Sequence, residues 1–82
     1  MKKYLIIVEE TDMGYSAFSP DVPGCGSVGN TKEEVERNIQ EALEFHLEGL
    51  RDEGLPVPRP TVETGMVEVR AALQAVSYLS RG

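Results

Sequence analysis

Two boundaries constrain this chain more than any other feature: Thr31-Lys32-Glu33-Glu34 opens a polar and apolar run that ends at Gly54-Leu55-Pro56. Thr31 and Glu34 have the spacing of a capping box, in which Thr31 is the N-cap and the Glu34 carboxylate reaches back to the Thr31 amide. Gly54 with Leu55 behind it has the pattern of a Schellman stop, and Pro56 prevents resumption. A helix is therefore predicted over residues 32–53. At ~100° per residue, Val35, Ile39, Ala42, Leu43, His46 and Leu50 share one stripe, while Glu33, Glu36, Arg37, Gln40, Glu41, Glu44 and Glu48 mostly face water. In a chain of 82 residues, that stripe must be covered by what precedes and follows it.

What precedes it reads as β. Residues 2–10 are β-branched and aromatic in the middle and bounded by charge, which predicts a first strand. Leu5 and Ile7 point one way and Tyr4, Ile6 and Val8 the other, so both faces want cover and the strand is expected to be central. Thr11-Asp12-Met13-Gly14 carries turn chemistry, and Tyr15-Ser16-Ala17-Phe18 then completes an antiparallel hairpin. Pro20, Pro23 and Gly24 end the second strand. Pro23-Gly24 fits a type II turn, with Pro presetting φ and Gly supplying a positive φ, and it returns the chain as a short third strand over residues 25–28.

Beyond the helix, Pro56, Pro58 and Pro60 favour an extended connector rather than a paired strand. Val67, Val69 and Ala71 then alternate with Glu68 and Arg70, predicting a last strand over residues 66–71. A short terminal helix through Leu73, Val76 and Leu79 is also possible on the pattern. The expectation is one α+β domain over residues 1–82, of order β-β-β-α-β, with a three- to four-stranded sheet and one long helix on one face. One helix cannot cover two faces. The other face is left to the C-terminal segment or to a second subunit, so a homodimer is expected.

Eight Lys and Arg against fourteen Asp and Glu give a net charge of −6. That balance repels phosphate backbones and suits a basic partner. A domain near this size buries only about 60% of the surface its unfolded chain exposes, a further reason to expect association. Cys25 is the only cysteine, which excludes an intramolecular disulfide and fits a reducing compartment. Tyr4-Leu5-Ile6-Ile7-Val8 is too short for a signal core, and no apolar stretch approaches the ~20 residues that span a bilayer. A cytoplasmic protein is expected.

The residues capable of chemistry are scattered. His46 lies on the apolar stripe without a second His, which reads as a satisfied, largely buried histidine rather than a base or ligand. Cys25 has no base near it in the sequence and reads as a small residue opening a strand. Ser19 and Ser27 lack a nucleophile-elbow setting. Glu9-Glu10, Glu33-Glu34 and Asp52-Glu53 suggest a two-metal nuclease, but such an enzyme needs acids converging from the sheet centre and the inner helix face. Here they fall in turns, at helix ends or on outward positions. Gly24-x-Gly26-x-x-Gly29 has dinucleotide-binding spacing without a βαβ context, so it reads as turn geometry. No catalytic residue, cofactor or metal is expected.

From residue 1 to about Pro60 the ordered set of motifs resembles the HicB-like antitoxin family. It comprises an apolar first strand, Tyr15, Ser19-Pro20-Asp21-x-Pro23-Gly24-Cys25, Thr31-x-x-Glu34, then Asn38, Ile39, Ala42, His46-Leu47 and Gly54-Leu55-Pro56-x-Pro58. The resemblance implies a truncated ribonuclease-H-like core without catalytic acids. It also implies a role in a toxin–antitoxin pair, binding a small basic toxin that cleaves messenger RNA and masking its active surface. An acidic partner suits that electrostatically. Tyr15, Ser19, Pro20, Asp21, Pro23, Gly24, Cys25, Thr31, Glu34 and His46 would be signature scaffold residues. Longer members continue into a helix-turn-helix or ribbon-helix-helix domain; only a short stretch follows the expected last strand here, so no direct DNA binding is expected. Two other readings stand beside this one: a dimeric small-molecule-sensing or regulatory module, and a metal-dependent nuclease.

Overall fold

The computed structural model describes residues 2–70. Three strands, β1 (Ile7–Thr11), β2 (Gly14–Phe18) and β3 (Gly26–Gly29), form an antiparallel sheet in the order β1-β2-β3, and one helix, α1 (Lys32–Asp52), lies across one face. The hairpin turns through Asp12 and Met13, with Thr11 opposite Gly14, and the Met13 amide donates to the Thr11 hydroxyl at 3.3 Å.

Among the described residues, the strand expected at the centre of the sheet is instead at its edge, and it is shorter than expected, beginning at Ile7. Apolar residues on both sides of a strand report what its two faces meet; they say nothing of its lateral neighbours. The helix-side residues Tyr4, Ile6 and Val8 pack against the core, whereas Ile7 on the other side remains partly exposed. β2 takes the centre and pairs with both neighbours.

Register sorts the faces. Ala17 lies opposite Val8 and Ser27, and Tyr15 opposite Glu10 and Gly29, on the helix side. Ala17, Val22, Cys25, Val35, Ile39 and Leu43 form the buried core, with Leu47 and Ala42 packed against it. The helix thus buries a line at four-residue spacing from Val35 through Ile39 and Leu43, which Leu47 extends, the side-by-side spacing of an α-helix. His46, expected to be largely buried, flanks that line and is half-buried, as is Leu50. On the opposite sheet face, Ile7 pairs with Phe18 and Ser16 with both Glu9 and Val28. Ile7, Phe18 and Val28 are exposed there.

Both helix boundaries form as expected, with one shift. The Glu34 amide donates to the Thr31 hydroxyl at 3.0 Å, but the Glu34 carboxylate accepts from the Asn30 amide at 2.8 Å rather than from that of Thr31. The reciprocal bond reaches one residue further out and still satisfies a backbone donor before the first turn. At the other end, the Leu55 amide donates to the Leu50 carbonyl and the Gly54 amide to the Arg51 carbonyl, the paired bonds of a Schellman stop. Gly29 lets α1 approach β3: a Cβ there would stand 2.7 Å from the Val35 nitrogen. The Asn38 amide group donates to the Val28 carbonyl at 2.9 Å and the Ser27 hydroxyl to the Val35 carbonyl at 3.3 Å, tying helix to strand.

Among the described residues the expected last strand does not form. Residues 66–70 make no ladder there, and Met66, Val67 and Val69 are 96%, 86% and 76% exposed. Alternation marks a backbone suited to pairing, but pairing also needs an edge within reach. The order of the described elements is therefore β-β-β-α. Ala71 and the possible terminal helix lie outside the described residues.

Candidate functional site

The Ser19 to Cys25 run makes two successive turns between β2 and β3. The Val22 amide donates to the Ser19 carbonyl at 3.1 Å, with Pro20 at the second position, and the Cys25 amide donates to the Val22 carbonyl at 3.3 Å. In the second turn Gly24 has φ of 81° after Pro23, as a type II turn requires. The turns sink Val22 and Ser19 into the core and hold Pro23 and Gly24 in solvent. Cys25 is buried, and burial pushes its thiol above the ordinary range, the opposite of what a nucleophile needs.

Asp21, the one ionisable member of the run at the surface, binds a segment forty residues away. Its Oδ2 accepts from the amides of Thr61 (3.0 Å) and Val62 (3.1 Å), and its Oδ1 accepts from the Thr61 hydroxyl at 2.9 Å. The Val62 amide, helped by the Thr61 hydroxyl and amide, holds the carboxyl below its usual value, against a smaller opposing effect of desolvation. A second tie lies upstream, where the Tyr4 hydroxyl donates to the Pro58 carbonyl at 2.6 Å. The proline-rich segment is thus fastened to the first strand's approach and to the double turn.

Of the expected signature residues, Ser19 through Cys25 act as one unit. Tyr15 and Glu34 both line another place, a cleft at the helix N-terminus that Asp12, Met13 and Asn30 also line. Thr31 caps that same end, whereas His46 stands apart on the C-terminal half of α1. Of the glycines with dinucleotide-like spacing, Gly24 serves a turn and Gly29 a helix contact. The roles of Tyr4, Thr61 and Val62 were not foreseen. A surface aspartate inside a double turn with no partner of its own was the available hint, but nothing in the sequence said how far away that partner lay.

Outward-facing charge is mostly acidic. Glu9 and Glu10 are exposed on β1, and Glu33, Glu36, Glu41, Glu44 and Glu48 on α1. Among the described residues no three His, Cys, Asp or Glu side chains gather as a metal cluster would, and no helix is long and apolar enough to cross a membrane.

A three-stranded antiparallel sheet backed by one long helix, with its motif residues spent on turns and caps, defines a small α+β module. The match to the HicB_like antitoxin of bacterial toxin-antitoxin systems extends over residues 4–76, and the chain belongs to that family. It is 46% identical over 59 residues to an uncharacterised 14.9 kDa protein of Haemophilus phage HP1, covering 70% of this chain but only 44% of the phage protein. It is 47% identical over 57 residues to a UPF0150 protein of Synechocystis, covering 68% of this chain and 72% of that one. Among solved structures, a chain of a HicA3 and HicB3 toxin-antitoxin complex superposes with a TM-score of 0.64 at 37% identity, over 73% of this chain and 70% of its own. The antitoxin HicB3 alone shares the fold, with a TM-score of 0.60 at 23% identity over 96% of this chain and 85% of its own.

Proposed function

We propose that this protein is a non-catalytic antitoxin that binds a small, basic, mRNA-cleaving toxin and masks its active surface. The observation that carries the reading is family membership, joined to the likeness to a chain solved in a HicA3 and HicB3 toxin-antitoxin complex. Two features of the molecule support it. The net charge of −6, displayed along α1 and β1, gives an acidic surface that attracts and orients a basic partner. The groups best placed for chemistry by type are spent on structure: Cys25 is buried with a raised thiol, and Thr31 and Glu34 cap the helix.

On this reading the protein acts in the cytoplasm, self-associates through its uncovered apolar surface, and has no direct DNA contact of its own. The test is co-expression with the product of a short basic reading frame beside its gene. Rescue of growth from that product, with co-purification of the two proteins, is the expected result. Growth arrest undiminished by co-expression, with no complex recovered, would overturn the proposal.

A further inference from the structure

We propose that residues 66–70 are a self-association strand, which two copies of this chain pair antiparallel about Val69. The inference deepens the self-association put forward above, and it is independent of any toxin. Four observations lead to it.

The segment joins no ladder among the described residues, so nothing there occupies its amides and carbonyls as strand partners. Its side chains alternate, with Val67 and Val69 on one side and Glu68 and Arg70 on the other. Its apolar residues are nearly as exposed as a chain permits, a condition that a second strand relieves. Finally, the segment emerges from a fixed point, because Asp21 grips Thr61 and Val62 and Tyr4 grips Pro58.

Charge selects the occupant and the register. A two-fold pairing places one residue of each copy directly opposite itself. Centred on Glu68, the pairing opposes two carboxylates, which is destabilising. Centred on Val67, it leaves Glu68 facing Met66 and gains no ion pair. Centred on Val69, it sets Glu68 of each copy opposite Arg70 of the other, twice by symmetry, and stacks valine on valine on the remaining side. The segment is thus complementary to itself in one register.

The test uses the full chain. Val69→Cys should form a covalent dimer under mild oxidation. Val67→Cys should not, since its two copies would stand four residues apart, about 14 Å at ~3.4 Å per residue, beyond the ~7 Å Cα separation a disulfide bridges. Buried Cys25 is common to both variants and to the unaltered chain, which supplies the background. In sedimentation, Glu68→Arg and Arg70→Glu should each weaken the dimer about tenfold. The double reversal should restore it, as should mixing the two single variants.

Equal crosslinking at both positions, or a dimer indifferent to charge reversal, would overturn the ribbon while leaving self-association standing. A strictly monomeric chain would remove both. Toxin capture by a chain whose residues 66–70 do not self-pair would also sink the ribbon and assign the strand to the partner instead.

Discussion

At Gly29 the missing side chain is what brings the first turns of α1 onto β3. The atom a Cβ would meet at 2.7 Å is backbone nitrogen of Val35, itself fully buried, so neither side can give without moving a helix against a strand. Gly29→Ala should cost about 1–3 kcal/mol of stability, as overpacking does, measurable as a lower urea midpoint at unchanged slope. Asp21 acts at the same scale through charge. Its carboxyl is held below its unfolded value, so its contribution is complete above the ordinary carboxylate range, about pH 4, and is lost as pH falls through the lowered value. Amide exchange at Thr61 and Val62, corrected for intrinsic rates, should therefore accelerate on acidification below that range. Asp21→Asn should abolish that pH dependence.

Among the elements, α1 was the most legible in advance because its limits are set by local chemistry: a hydroxyl three residues before a carboxylate at one end, a glycine and a proline at the other. Thr31→Ala should cost about 1 kcal/mol, read from thermal or urea unfolding. The second of the two turns was equally readable, since Pro23 and Gly24 specify their own dihedrals; the Ser19 to Val22 turn before it was not foreseen. Strand position was not, because β1 and β2 have similar propensity and order in a sheet depends on which edges meet. Residues 66–70 carry a strand's pattern without a strand's partner among the described residues, a difference no local signal encodes. The long-range ties of Asp21 and Tyr4 were invisible for the same reason: each end of a bond forty or fifty residues long looks locally like an ordinary surface residue.

For the molecule as a whole, the sheet is covered on one face by α1, while Ile7, Phe18 and Val28 stand uncovered on the other. The acidic side chains crowd α1 and β1. If capture of a basic toxin runs through that charge, association should slow markedly between low salt and ~0.15 M, where the screening length shrinks to about 8 Å, with dissociation far less affected. Stopped-flow association across a salt series would measure both. Equal rates at every salt concentration would place recognition on the uncovered apolar face instead.

The bonds that fasten residues 58–62 to Tyr4 and Asp21 also decide how the domain bears a load. A pull on the chain beyond Val62 does not arrive at the end of α1, where a helix would peel turn by turn from Leu55 inward. It arrives first at a cluster of three hydrogen bonds on the turn between β2 and β3, and next at the tyrosine leading into β1. The clamp thus shields the helix from traction, and removing its outer part by Asp21→Ala would move the point of first rupture from the sheet's turn to the Tyr4 tie at Pro58.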